Sequence, residues 1–499
     1  MLAPEQFAAL REYFRGCGFT EEVLRQRLKI PPGKPLDLVS IATKPSPGRA
    51  IEDGLDALLH LLVLGEAAAV SEAKRVLPVA VWDVLIQSEL ILEEKKEGGQ
   101  CLGSVALFPV RGLFLAADRW TNIDHSLRQT FDDIVYPVMT KSGKQYLDYI
   151  SFEPCEDFLE MCAGTSPAAL LAARTARKAC AADITERSLA FARFNAALNG
   201  IDNVEFVRGD LFEPVSGRTF DRIAAHPPYM PVLKPAEIYS AGGALGDEIA
   251  SKIIADLPGR LKPGGRFYCR TLGIDRSERS FEQQVRHWLG ARESEYDVAL
   301  FVFDTLQPRR FALEHTLNKD GGRAEVAQWE KLFEENEVQA LLALVLVIQR
   351  IAEKRSAFTL RRSIHDDLPA AMVEWALGWE TLLHAQGLTD ALIGAKPVAT
   401  PGIEVTARHV LRDGELKAED FRLSLKRPFE VDWRVQPWMP LLLPRCDGNA
   451  SVAELFEQCK EAGWIAGETP LPQFCGLIGN LMSGGFLQVR EFKWPAAAG

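Results

Sequence analysis

The stretch His226-Pro227-Pro228-Tyr229 has the clearest means to do chemistry in this 499-residue chain. Proline fixes φ, drives its predecessor into an extended conformation and removes backbone donors, so the loop is stiff. It presents carbonyl acceptors, one side chain that exchanges a proton and one aromatic face. A neutral imidazole offers one acceptor and one donor nitrogen, and with a pKa near 6.5 it also serves as a general base. Tyr229 can stack on an acceptor or turn its ring toward a cation. The plainer alternative is that both rings simply pack the loop.

Three further signals lie upstream. The turn Glu160-Met161-Cys162-Ala163-Gly164-Thr165-Ser166 is built of small residues that let a ligand approach the backbone. The helix expected after it would offer free N–H groups. A dinucleotide fingerprint requires G-x-G-x-x-G, and Cys162 and Ser166 stand where glycine would help, which disfavours NAD. Asp183, about twenty residues on at the end of the next strand, is placed to accept the two hydroxyls of a ribose. Asp210 ends the strand after that, where a carboxylate can accept an adenine amino proton. Singly, each acid is an ordinary loop residue; together, followed by the Pro-Pro loop, they form a constellation.

The elements that must position them read as βαβ units. Strands are expected at residues 157–161, 180–183, 204–207, 220–225 and 266–272, with helices at 167–174, 186–199 and 249–261. Gly200 stands where a helix C-terminal cap belongs, and Lys262-Pro263-Gly264-Gly265 is expected to close the third helix. A helix at 281–289 and strands at 296–303 and 338–351 continue the pattern, with 358–363 beside the last of them. Open α/β sheets bind ligands at the carboxyl ends of their strands, where all four signals fall.

Residues 155–272 resemble a class I S-adenosylmethionine-dependent methyltransferase of the group that includes the protein-glutamine N5-methyltransferases. Residues 157–166 resemble motif I, Asp183-Ile184 the ribose-binding acid, Gly209-Asp210-Leu211-Phe212 the adenine site, and His226-Pro227-Pro228-Tyr229 an Asn-Pro-Pro-Tyr catalytic motif. Ala241-Gly242-Gly243-Ala244-Leu245-Gly246 resembles a segment that follows it. The resemblance implies a Rossmann-like seven-stranded sheet and S-adenosylmethionine held by Glu160, Cys162, Ala163, Gly164, Asp183, Ile184, Asp210, Leu211 and His226. It implies an acceptor aligned by His226, the Pro227 carbonyl and Tyr229. The departures are the glycines missing at 162 and 166 and the histidine at 226, where the family's amide oxygen orients a target NH2. A histidine there suits a protonated amine or a hydroxyl, which need a base, better than a planar amide.

A net charge of −11 opposes a basic nucleic-acid footprint, so peptide, protein or small-molecule acceptors rank above an RNA base, with a non-catalytic S-adenosylmethionine-binding regulator as a third reading. Nine scattered cysteines without C-x-x-C suggest reduced thiols and no zinc site. The N-terminus has no basic signal-peptide region, and no apolar run is long enough to span a bilayer; a cytoplasmic protein is expected. Helical spacing through residues 4–30, 55–64, 71–77 and 81–87, then β-rich runs at 90–94 and 100–108 about Gly98-Gly99, suggest a winged-helix-like N-terminal domain, residues 1–132. Residues 112–150 read as a connector that approaches the core, in which Tyr136-Pro137 and Ser142-Gly143-Lys144 either line an entrance or cover the core. The methyltransferase domain is expected at 133–365. An α+β C-terminal domain follows at 366–499, with helices at 368–385, 452–462 and 473–482 and strands at 403–410, 421–426 and 486–492.

Overall fold

The computed structural model describes residues 2–31, 36–42, 51–96, 98–119, 133–233, 242–317, 322–366, 368 and 370–489. Ala241 and the end of the strand expected at 486–492 lie outside them. The chain forms two compact units, Met1–Lys262 with Arg266–Thr271, and Pro263–Gly265 with Leu272–Gly499.

In the first unit, helices Pro4–Gly16, Glu21–Arg27, Val70–Val76 and Val79–Gln87 accompany Gly54–Leu58, which continues as a π-helical turn, Leu59–Leu64. A small antiparallel sheet joins Ala68–Ala69, Gln100–Gly103 and Ile91–Glu93. Ser71, a residue type that suits a helix N-cap, lies inside its helix instead, and the cap position is Ala69. The run expected at 100–108 is two strands, and the second, Val105–Val110, pairs with Leu113–Asp118. The latter falls in the stretch expected to be a connector. The turn between them, Arg111-Gly112, has both residues at positive φ (49° and 75°), the geometry of a two-residue hairpin turn without its usual Asn-Gly spelling.

The rest of this unit alternates strand and helix: β1 (Cys155–Met161), α1 (Pro167–Ala172), β2 (Ala176–Asp183), α2 (Glu186–Asn199), β3 (Val204–Arg208), β4 (Phe220–Ala225), α3 (Glu248–Asp256) and β5 (Leu261–Arg276). Parallel pairing gives the order β3-β2-β1-β4-β5. Phe158, Leu159, Met161, Ile223, Ala224 and Ala225 are buried, as expected of strands covered on both faces. Strand order reverses between β1 and β4, so the crevice of an open sheet opens at their carboxyl ends. At the opposite ends, Lys262 Nζ joins Asp157 (2.7 Å) and Asp221 (3.0 Å). Gly200 caps α2 at φ 68°. The segment 262–265 does not close a helix: α3 ends at Asp256, and Leu261 already pairs with Phe220 before the register breaks at Arg266.

In the second unit, which also takes the last residues of β5, β6 (Tyr296–Leu306) pairs antiparallel with β7 (Val338–Arg350) and parallel with β8 (Thr359–Ile364). Residues 359–364 therefore lie beside 296–306 instead of 338–350. The same sheet continues through β9 (Glu404–Arg412), β10 (Glu415–Leu425) and β11 (Phe429–Val435), each antiparallel to the next, with β11 pairing to β8, while Val398–Ala399 pairs antiparallel with Leu487–Gln488. β11 and the helix Pro308–Leu317 were not expected from the sequence. Helices Ala370–His384, Val452–Glu461 and Leu471–Ser483 fall where expected. Among the described residues no helix is long and apolar enough to cross a membrane, and no His/Cys/Asp/Glu cluster could hold a metal ion.

Candidate active site

Met161 and Ala225 are register partners on neighbouring strands, so the loops that start at Cys162 and His226 leave the sheet side by side. The sheet topology alone thus joins two segments far apart in sequence.

The first loop keeps a glycine-like path. Cys162, Gly164 and Ser166 lie at φ 51°, 52° and 59°, so the two positions that lack glycine still adopt the left-handed region. That conformation costs about 1 kcal/mol for each non-glycine residue. Hydrogen bonds hold it: Ala163 N donates to Ala182 O (3.2 Å), Ser166 N to Ala163 O (2.6 Å) and Gly164 N to Asp183 Oδ2 (2.8 Å). Buried Asn195 on α2 donates to Thr165 O (3.3 Å) and exchanges hydrogen bonds with the Ala116 backbone (2.8 and 3.1 Å). Asn199 clasps Phe114 in the same way, which ties the edge strand Leu113–Asp118 to the helix behind the loop.

The N-terminus of α1 is not open to a ligand as expected. Glu160 accepts from Ala168 N (3.2 Å) and Ala169 N (2.7 Å), and also from the Tyr146 hydroxyl (3.1 Å). Glu160 therefore shapes the loop from beneath. It is 1% exposed, and burial pushes its carboxyl up to about 8 against the pull of these donors. A folded-state pKa above the unfolded value means that its contribution to stability is full below about pH 4 and is lost as pH rises through about 8. Unfolding midpoints measured from pH 5 to pH 9 should fall by an amount that Glu160→Gln reduces.

Asp183 also accepts from Thr185 N (3.0 Å) and Thr185 Oγ1 (3.3 Å), and its neighbour Ile184 is 50% exposed. Asp210 is exposed after β3, followed by half-buried Leu211 at φ 48°. Two observations mark space for a ligand here. A Cβ built on Gly164 would meet nothing within 4 Å, and the buried Ser166 hydroxyl has no hydrogen-bond partner. Room, a spare hydroxyl, a carboxylate and an exposed apolar side chain suit a nucleoside that carries a polar tail.

On the second loop, the half-buried His226 ring lies between two aromatic neighbours, Tyr146 (centroids 5.2 Å apart, planes at 31°) and Tyr229 (5.7 Å, 18°). Arg270 places its guanidinium 5.2 Å from the Tyr229 centroid and donates to Gln145 (3.0 Å) and Thr271 O (2.7 Å). Burial, and secondly the Arg270 charge, push His226 down to about 3, so its imidazole is neutral at physiological pH. Pro227 is buried. The segment after the loop grips it: Gly242 N donates to Met230 O (2.9 Å), and Cβ atoms on Gly242 and Gly246 would stand 2.7 Å from Tyr229 Cα and 2.3 Å from Tyr229 O.

The four sequence signals thus meet at one sheet edge, whereas Tyr146, Arg270 and Asn195 were missed. Arg270 had a legible mark, a lone charge inside the apolar run 267–274. Asn195 and Asn199 stand at helical spacing on one face. Tyr146, on the helix Lys141–Asp148, has no local signal.

A family model described as a methyltransferase domain matches residues 154–383. The chain is similar to a putative protein N5-glutamine methyltransferase of Methanocaldococcus jannaschii, 38% identical over 117 residues that cover 22% of this chain and 58% of that protein. It is also similar to a ribosomal protein uL3 glutamine methyltransferase of Bradyrhizobium diazoefficiens (31% identity, 29% of this chain and 49% of that one). A third relative is a release factor glutamine methyltransferase of Yersinia pestis (41% identity, 18% and 37%). The chain spans about half the length of the curated relatives it matches.

Proposed function

We propose that this chain, whose residues 154–383 are a class I S-adenosylmethionine-dependent methyltransferase domain, methylates an uncharged planar nitrogen of a protein or peptide, with the glutamine side-chain amide as the acceptor. The observation that carries this reading is the His226 ring held between Tyr146 and Tyr229, beside the buried cation of Arg270. An amine acceptor arrives as a cation and must lose a proton. A histidine with its pKa near 3 is a poor base for that, and Arg270 repels the cation. An amide NH2 arrives uncharged: as its nitrogen takes the methyl and the C–S bond breaks, the N-protonated amide that forms is acidic enough to release its proton to water. The site has chiefly to aim it, and one imidazole nitrogen together with the Pro227 carbonyl can accept its two hydrogens. The general-base role that the sequence left open gives way to an orienting one. The named targets of the relatives, a release factor and a ribosomal protein, support a protein acceptor.

S-adenosylmethionine supplies the electrophilic methyl group on its sulfonium. Asp183 is suited to its ribose hydroxyls, Ile184 and Leu211 to the faces of its adenine, Asp210 to the adenine amino group, and Cys162, Ala163 and Gly164 to the backbone cradle of its methionine part. Asp183→Ala should weaken S-adenosylmethionine binding at least tenfold by calorimetry; unchanged affinity removes the assignment. The wider reading includes a seven-stranded sheet, a winged-helix-like lobe at 1–132 that presents the acceptor, domain limits at 133–365 and 366–499, and a cytoplasmic site of action.

The test is transfer of labelled methyl groups from S-adenosylmethionine into a fractionated lysate, followed by peptide mapping. Label on protein glutamine is expected; label confined to RNA or to metabolites would overturn the reading.

A further inference from the structure

β9 is an edge strand, joined on one side by β10 through the turn Asp413-Gly414. Every residue of β9 is exposed except Val410, which is half-exposed. A strand exposed on both faces covers none of its own chain's core, so the intramolecular fold gives no reason for its length. Three large apolar side chains stand out on this hairpin: Val405 is 51% exposed, Leu411 66% and Leu416 71%. β9 also keeps a strict two-residue alternation. The register shift opposite Arg408 and His409, whose partners are Asp420 and Ala418, places the extra residue, Glu419, on β10.

Alternation sorts β9 into two faces. Val405, Ala407, His409 and Leu411 share one, and Glu404, Thr406, Arg408, Val410 and Arg412 share the other. If β9 is laid antiparallel against itself with Arg408 at the centre, the three outer pairs on each side of the axis are complementary, and Ala407 faces His409. Glu404 faces Arg412, Val405 faces Leu411, and Thr406 faces Val410. These are an opposite-charge pair, an apolar pair and a β-branched pair, and symmetry forms each twice. Leu416, the register partner of Leu411 on β10, extends the apolar pair. The one like-charge meeting is Arg408 with its own copy, and Glu419, whose carboxylate also bonds Arg412 within the chain, lies 3.7 Å from that guanidinium.

We propose that β9 pairs antiparallel with β9 of a second copy of this chain, about a two-fold axis at Arg408, and that the protein is a homodimer built on this arm. Such an interface is isologous: one edge serves both partners and the open edges are closed.

Sedimentation velocity of the full chain tests this. The unmodified protein should sediment at twice the chain mass. Glu404→Arg, which sets like charges opposite one another at both ends, should raise the dissociation constant about tenfold or more, with an unchanged circular dichroism spectrum. Arg412→Glu alone should do the same. An equimolar mixture of the two variants regains an acid opposite a base at both ends and should recover the dimer. A monomeric unmodified chain, a dimer indifferent to Glu404→Arg, or a mixture that stays monomeric would each overturn the proposal. None of these readouts depends on the methyl acceptor.

Discussion

His226→Ala should lower single-turnover methyl transfer about 100-fold to 1,000-fold while leaving S-adenosylmethionine affinity nearly unchanged. The loss would be one of aim: the acceptor nitrogen could still reach the site, but without the imidazole nitrogen that fixes its direction. Two further readouts separate aim from proton transfer. With His226 pushed down to about 3, protonation sets in only in strongly acid solution, so the rate should show no descending limb attributable to this residue between pH 5 and pH 9. His226→Asn, which restores an amide oxygen acceptor, should recover part of the lost rate. A rate that follows an ionisation near pH 6.5 and disappears in His226→Asn would instead make the histidine a base.

Gly246→Ala is expected to be the most damaging single-methyl change near the site. Gly246 lies at φ 88°, and its added Cβ would stand 2.3 Å from Tyr229 O and 3.1 Å from Pro231 Cδ. Backbone strain and a clash with a stiff loop add here, for an expected loss of about 2–4 kcal/mol in unfolding free energy. Turnover should fall with it, because the atoms pushed aside carry the Tyr229 ring. Gly217→Ala is the matched control: φ is 77°, yet nothing lies within 4 Å of its Cβ. It should cost about 1 kcal/mol and leave activity intact. Equal activity in the two variants would show that the Gly246 contact does not shape the acceptor loop.

The βαβ core was legible because its signals are local. Apolar runs, the Gly200 cap and acids at strand ends all fall within windows of a few residues. The loops that carry Asp183, Asp210 and His226 could be read for the same reason. What escaped depends on contacts between distant segments. Arg111-Gly112 turns a hairpin with uncommon residues, so Leu113–Asp118 passed as a connector. β8 was set beside the wrong strand because an apolar pattern marks a strand without naming its neighbour. The helix N-terminus seemed free because the sequence does not reveal that Glu160 folds back onto Ala168 and Ala169. Nor could it reveal how far burial and Arg270 depress His226, and that shift moved the reading from base to guide.

The place of His226 between Tyr146 and Tyr229 also bears on descent. A slot lined by two rings suits a flat side chain, and an asparagine would leave part of it empty. The histidine and the tyrosine on the helix Lys141–Asp148 should therefore have been inherited as a pair. Relatives with histidine at this position should keep an aromatic residue at the place of Tyr146, and those with asparagine should be free to lose it.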